Sequence, residues 1–182
     1  MKNLVAAAIF GIALLGIAFA QTPPDEVAKR TGKAQMAVVE FTPGPNVAGM
    51  SAEAKRQLQA SIAFRLMKTN RIHVVDVRHT REASQANLAA VNGASTAAAV
   101  KVGKQLRVSY VLTGTVEKYN SQGSATLKTR LVEVATGKVR HTDELEHQFT
   151  GIMYTGNDAE MKAKVLLPIT LKLAETLAAE SL

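Results

Sequence analysis

Three polar residues with the chemistry of a ligand site lie around the end of the second predicted strand of this chain: Asp76, Arg78 and His79. A carboxylate, a guanidinium and an imidazole side by side can bind a charged ligand or transfer a proton. The loop after the carboxyl end of a parallel strand is a common position for such sites. His73 lies on the strand and faces the opposite way from Asp76, so these two cannot cooperate directly. The pattern predicts Asp76, Arg78 and His79 as binding-site candidates, with the alternative that Asp76 shapes the turn before Thr80.

His141, Asp143 and His147 resemble a metal cluster, because alternate residues of a predicted strand share one face. At about 3.3 Å per residue, the two imidazoles are about 20 Å apart, which is too far for both to reach one ion. Leu145 also lies between them on that face. Since a metal needs its ligands around one point, we predict no metal site.

Other catalytic motifs are absent from the sequence. There is no G-x-S-x-G elbow and no cysteine nucleophile. Residues 42–49 (TPGPNVAG) contain glycine but lack the Lys-Ser/Thr of a phosphate-binding loop, so we interpret them as a strand-to-helix connection. Aromatic residues make up 4% of the chain and tryptophan is absent, which disfavours a stacking platform for sugars or bases. We expect no catalytic residue, no cofactor and no enzyme activity.

The first twenty residues have the pattern of a secretory signal peptide. Lys2 precedes an apolar run over residues 4–19, and residues 18–20 (AFA) form an A-x-A cleavage pattern. This predicts cleavage between Ala20 and Gln21. The alternative is an uncleaved anchor, but the run is short of the about 20 residues that a membrane span needs. We therefore expect a signal peptide at 1–20, a flexible leader at 21–34 and one domain at 35–182, with no later transmembrane segment.

The absence of cysteine bears on the cellular setting. An exported chain without cysteine has no disulfides, so its core must stabilise it. It also lacks the cysteine that is acylated in bacterial lipoproteins. We therefore predict a periplasmic protein without a lipid anchor.

The charge balance favours acidic partners. The formal net charge is +7, and loss of Lys2 with the signal peptide lowers it by one. Nucleic acid, anionic lipid and anionic cell-wall polymer are the partners that such a charge attracts. Export argues against nucleic acid, and the basic residues are scattered, which is typical of a solvated basic surface.

The first half of the predicted domain alternates strands and helices. Strands are predicted over 36–41 and 72–77, separated by a turn at 42–46 and a helix with Ser51 as its N-cap and Thr69-Asn70 at its end. The apolar face of that helix repeats every four residues: Ala54, Leu58, Ile62 and Leu66, widened by Met67. This order is a β-α-β crossover between parallel strands. A second helix is predicted from Thr80 to about Val91, and a third after Ser95, with Ala98, Val102 and Leu106 on one face.

The second half is predicted to be an antiparallel meander followed by a helix. Strands are expected over 108–119, 124–134 and 138–149, with turns at Gln122-Gly123 and 135–137, the latter with Gly137 left-handed. Lys128 then faces Glu144, and Gly114 marks a bulge or a close backbone contact. One face carries Leu127, Leu131, Val139, Leu145 and Phe149. The last helix, 158–179, has Met161, Val165, Ile169, Leu173 and Leu177 on one side, and Pro168 is expected to kink or divide it. The fold class is α/β: a single mixed sheet with a β-α-β opening, an antiparallel three-strand finish and a C-terminal helix.

Five segments resemble the periplasmic domain of the CsgG family of curli secretion: 37–41 (AVVEF), 72–76 (IHVVD), 99–106, 110–116 (YVLTGTV) and 131–139 (LVEVATGKV). That superfamily also includes outer-membrane lipoprotein activators of penicillin-binding proteins and the N-terminal domain of TolB-like proteins. The resemblance covers about residues 35–150. It implies the soluble α/β domain of this superfamily.

The chain departs from the curli channel in three places. The channel is lipidated on its first mature residue, where this chain has Gln21. The channel also inserts two long membrane hairpins, at positions where this chain has only residues 121–124 and 150–157. Since a transmembrane strand needs about 9–11 residues, neither segment can form such a hairpin. The resemblance therefore implies the scaffold without the pore.

Two functions remain open from the sequence. The first is a soluble periplasmic, non-catalytic binding or assembly module that acts by contact with an envelope protein, with a homo-oligomeric ring as a further arrangement. The alternative is an envelope enzyme, or a binder of anionic cell-wall polymer, that uses the loop around Asp76, Arg78 and His79.

Overall fold

The structure, a computed structural model, describes residues 33–45, 47, 50–88, 95–120, 122–151 and 157–182, with 86–88 described by their backbone only. The predicted signal peptide, its cleavage site at Ala20 and Gln21, and the leader as far as residue 32 lie outside these residues. So does Val91, the predicted end of the second helix.

One mixed sheet of six strands forms the centre of the fold. Its strands are β1 (Ala34–Val38), β2 (Thr42–Pro43), β3 (Ile72–Val74), β4 (Tyr110–Asn120), β5 (Ser124–Glu133) and β6 (Val139–Gln148). The order across the sheet is β3-β1-β4-β5-β6, and the short β2 also pairs with β4. β1 is parallel to both β3 and β4, whereas β4, β5 and β6 are antiparallel. This is the predicted fold class.

Four helices pack on the sheet. They are α1 (Ala52–Lys68), α2 (Val77–Leu88), α3 (Thr96–Leu106) and α4, a continuous 158–179 helix made of Asp158–Glu160, a π-helical segment Met161–Leu166 and Leu167–Ala179. The π-helical segment ends at Leu166, two residues before Pro168. Proline removes a backbone donor and clashes with the carbonyl four residues earlier, and the wider turn accommodates this. The helix is not divided at Pro168, and the predicted kink stays a prediction beside the observed π-helical segment.

α1 has the predicted cap and core face. The backbone N–H of Ala54 donates to Ser51 Oγ at 3.0 Å, which satisfies one free donor of the first turn. All four residues of the predicted face, spaced by four, are buried: Ala54, Leu58, Ile62 and Leu66. The prediction for Met67 was wrong, because its side chain is 47% exposed. A residue adjacent to Leu66 is turned about 100° around the helix, away from the sheet.

α2 begins earlier than predicted. Its first residue is Val77, and Thr80 lies one turn inside it. The cap is supplied by Asp76, whose Oδ1 accepts the Arg78 N–H at 2.7 Å. Thr80 is fully buried and donates its hydroxyl to the Asp76 carbonyl at 3.1 Å. The strand before it is correspondingly shorter, ending at Val74.

The two faces of the sheet carry two separate cores. α1 and α4 cover one face, where Leu58, Ile62 and Leu173 pack with Met36 of β1. α2 and α3 cover the other face, where Ala83 and Val102 pack with Ala37 of β1. The alternation of side chains along β1 divides the two cores.

The antiparallel half confirms most of the predicted register. Lys128 lies opposite Glu144, and Gly137 has a positive φ of 68° at the β5–β6 turn. The prediction for Val139 was wrong. The pairing skips Arg140, so that Leu131 faces His141 whereas Val132 faces Val139. Because of this bulge, Val139 lies on the other face of the sheet from Leu145, and it is 42% exposed there.

Candidate functional site

The three residues predicted around the end of the second strand lie at the start of α2. Asp76 caps α2 through its bond to the backbone of Arg78. Arg78 and His79 are exposed on the first turn of that helix. Asp76 thus shapes the turn before Thr80, which was the alternative to a role in binding. The cavities described below are lined by other residues.

The second polar group is spread along β6, as predicted. His141 faces the end of the chain, and its Nδ1 lies 3.0 Å from Glu180 Oε1. Within the described ranges, no three His, Asp or Glu side chains are close enough together to hold a metal ion.

A crevice opens at the carboxyl end of β1, and we call it the switch crevice. It encloses about 210 Å³ and is lined by eight residues: Glu40, Phe41, Thr42, Pro43, Lys55, Arg81, Ser84 and Gln85. The crossover from β1 to β3 runs over one face of the sheet through α1. The crossover from β3 to β4 returns past β1 over the other face, through α2 and α3. The crevice therefore lies where the two crossovers diverge, which is the usual ligand position in open α/β sheets.

The switch crevice has an apolar wall and a charged rim. Phe41 is 1% exposed and forms the wall with Pro43. On the rim, Lys55 Nζ lies 3.9 Å from Glu40 Oε1. Arg81 is half-buried, and no carboxylate of the described chain lies within ion-pair distance of it. Its guanidinium is thus the uncompensated charge of the crevice.

Nearby, α1 is tied to the end of β1 by a buried polar contact. Gln59 is fully buried, and its Nε2 donates to the Val38 carbonyl at 2.7 Å. A buried hydrogen bond of this kind fixes the position of α1 relative to the strand that leads into the switch crevice.

The outer side of α1 and α4 carries a second candidate surface, which we call the helix face. It is apolar at Phe64, Met67 and Leu171, which are 51%, 47% and 44% exposed, and at the half-buried Leu167. Phe64 and Leu167 line one groove between the two helices. Met67 is three residues from Phe64, and Leu171 four residues from Leu167, so each extends this groove along its helix.

Three cations border the helix face. Arg65 and Lys162 line the same groove as Phe64, and Lys68 Nζ lies 5.3 Å from the centre of the Phe64 ring. Where the structure describes the chain, no acidic group pairs with any of the three. The helix face thus combines exposed apolar side chains with positive charge, a composition typical of a binding surface.

The sequence-based prediction missed both surfaces. Lys55, Arg81 and Phe41 come from three segments, and only the strand order brings them together. The turn signals at 42–46 indicate a connection and no ligand site, and the polar residues around the end of the second strand are a stronger signal than those after the first. Phe64 carried a signal that could have been used, since it is a large apolar residue off the core face of α1.

This architecture is shared with solved structures of bacterial proteins. The class is a mixed α/β domain whose parallel opening and antiparallel finish lie in one sheet. Lipoprotein GNA1162 from Neisseria meningitidis matches with a TM-score of 0.54 and 19% identity, over 82% of this chain and 99% of that one. PelC from Paraburkholderia phytofirmans, solved as a dodecamer, matches with a TM-score of 0.51 and 14% identity, over 82% and 90%.

LpoB from Escherichia coli, solved by NMR, also matches, with a TM-score of 0.51 and 15% identity over 82% of this chain and 84% of that one. These similarities show the fold, and the finer link to curli secretion stays a prediction. No protein-family model and no curated protein sequence matches the chain. Among the described helices, none is long and apolar enough to cross a membrane.

Proposed function

We propose that this chain is a non-catalytic binding or assembly module of the cell envelope. In this proposal it is exported to the periplasm and acts by protein–protein contact through the helix face. The observation that carries the proposal is the set of exposed apolar residues Phe64, Met67 and Leu171 beside uncompensated cations. Exposed aromatic and methionine side chains are enriched at protein interfaces.

The charge of the helix face indicates the kind of partner. Arg65, Lys68 and Lys162 would face the same three residues if two copies paired symmetrically through this surface, and like charges at an interface oppose association. A partner that presents acidic residues around an apolar centre fits better. We therefore propose a different envelope protein as the partner, and place any homo-oligomer contact on another surface.

Site-specific photo-crosslinking tests this function. A crosslinking amino acid at Met67 or Leu171 is expected to capture one defined partner in the envelope, because both side chains stand in the proposed interface. The same amino acid at Gln148, an exposed residue of β6, is the matched control and is expected to capture little.

The double variant Phe64→Ser/Lys68→Glu serves as the second arm. It removes the aromatic anchor and reverses one charge, and the crosslink should fall by at least about tenfold, the loss typical of a disrupted interface anchor. Equal crosslinking from Gln148 and Met67, or a crosslink that survives the double variant, would show that the helix face is not the interface.

A further inference from the structure

The switch crevice has the features of a small-molecule site that is separate from the helix face. It combines concavity, a buried aromatic wall and a few polar groups at its rim, as ligand sites do. Its lining comes from α1, α2 and the segment after β1, so it does not include Phe64 or the other residues of the helix face. An inference about the crevice is therefore independent of the proposed function.

We propose that the switch crevice binds the carboxylate of a small apolar acid, with Arg81 as the partner of the anion. Arg81 is half-buried on α2 without an acidic partner in the described chain. Guanidinium groups bind carboxylates through two parallel hydrogen bonds, a geometry that lysine cannot provide. The other cation of the rim, Lys55, is already 3.9 Å from Glu40.

The apolar wall and the volume restrict the body of the ligand. Phe41 and Pro43 present carbon atoms to the cavity, so the ligand requires an apolar part next to its carboxylate. At about 210 Å³ the crevice is below the 300–1,000 Å³ that drug-sized ligands occupy. The fitting class is a short branched or cyclic monocarboxylate, either a free acid or the apolar C-terminal residue of a peptide.

Polar groups on α2 can complete the recognition. Ser84 is 5% exposed, and its hydroxyl donates to the Thr80 carbonyl at 2.6 Å, so its oxygen can accept a hydrogen bond from the N–H of a peptide ligand but cannot bind the carboxylate. Gln85 is exposed one residue further on, with both donor and acceptor atoms. Glu40 is the unfavourable element, because its carboxylate repels an anion and engages Lys55.

The test is an NMR titration of the isotope-labelled mature chain. The probes are 4-methylpentanoate, its neutral isostere 4-methylpentanamide, and the dipeptide N-acetyl-alanyl-leucine. The two carboxylate probes are expected to shift the backbone N–H signals of residues around Phe41 and Ser84, whereas neutral 4-methylpentanamide should not. The carboxylate probe that binds more tightly shows whether the crevice prefers a free acid or the C-terminal residue of a peptide.

Three variants test how each charged residue affects the binding of the carboxylate. Arg81→Gln should weaken binding by about tenfold, the loss expected for a charge-assisted hydrogen bond at a partly exposed site. Glu40→Gln should tighten binding by about threefold, because it removes the repelling charge and frees Lys55. Arg78→Gln, which removes an exposed cation of the same helix from outside the lining, should leave the affinity within about twofold.

The amide spectrum of each variant establishes that it is folded before titration. Equal shifts with the amide probe, or an affinity that Arg81→Gln leaves unchanged, would overturn the proposal. Failure of either kind leaves the helix-face crosslinks unaffected, because the two surfaces share no residue.

Discussion

Gly114 shows how one residue position is constrained by two neighbours at once. A Cβ at this position would lie 2.4 Å from the Lys128 carbonyl oxygen and 2.8 Å from Phe41 Cε2. The sequence-based expectation of a close backbone contact at Gly114 is confirmed, and the bulge of β4 lies elsewhere, between Val116 and Lys118. Because Phe41 is also the wall of the switch crevice, the glycine allows the aromatic ring to reach that position.

Gly114→Ala should therefore destabilise the fold. The Lys128 carbonyl belongs to the paired strand β5 and cannot rotate away, so the methyl group must distort the β4–β5 ladder. We expect a loss of about 2 kcal/mol in the free energy of unfolding, as for overpacking in a core, measured by urea denaturation. Gly44→Ala is the control, since its Cβ would meet its nearest atom at 3.1 Å and requires only a small adjustment. Equal losses for both variants would refute this account of Gly114.

At the scale of elements, α4 separates a core side from a binding side. The five residues of the predicted four-residue spacing are buried and pack in the core shared with α1: Met161, Val165, Ile169, Leu173 and Leu177. The π-helical turn before Pro168 lets this side continue through the proline. Leu171 lies off this side and is 44% exposed on the helix face.

The pair Leu173→Ala and Leu171→Ala tests this division with one chemical change. Leu173 is 0% exposed, so its truncation leaves a cavity and should cost about 3 kcal/mol in the free energy of unfolding. Leu171→Ala should cost about 0.5 kcal/mol or less, as exposed substitutions do. Thermal and urea unfolding of both variants provide the measurement. A large loss for Leu171→Ala would mean that this residue belongs to the core and not to the helix face.

For the whole molecule, two cations of the antiparallel strands are paired with acidic residues, whereas, among the described residues, the three of the helix face are not. On the open half of the sheet, the exposed cations Lys118 and Lys128 pair with Glu146 and Glu144 at 3.5 and 3.6 Å. On the helix face, Arg65, Lys68 and Lys162 have no such partners within the described chain. Exposed pairs contribute little to stability, whereas uncompensated charge next to apolar surface favours an oppositely charged partner.

This contrast predicts that substitutions on the helix face do not change the self-association of the chain. If the chain forms oligomers, Phe64→Ser/Lys68→Glu should leave their mass unchanged in light scattering, because like charges keep two helix faces apart. Binding of the proposed envelope partner should fall in the same variant and should weaken with increasing salt, since screening reduces the attraction. A lower oligomer mass in the variant would instead identify the helix face as the contact between copies.

Local rules in the sequence were sufficient for most elements. The Ser51 cap, the core side of α1, the left-handed Gly137 and the Lys128–Glu144 register depend on spacing within one helix or one hairpin, so they were predictable. Three predictions were wrong by one to three positions. Met67 lies just outside the buried side of α1, the bulge in β6 moves Val139 to the other face, and the Asp76 cap starts α2 earlier than Thr80.

The sequence by itself determined the fold class and the type of each element, because hydrophobic periodicity and turn residues act over a few positions. Only the tertiary structure decided which residues share a surface. Arg81 meets Phe41 and Lys55 because the two crossovers diverge at β1, and Phe64 meets Leu167 because α1 and α4 lie side by side on the sheet. Such contacts depend on strand order and on the face that each helix covers, and these follow from the packing of the entire chain.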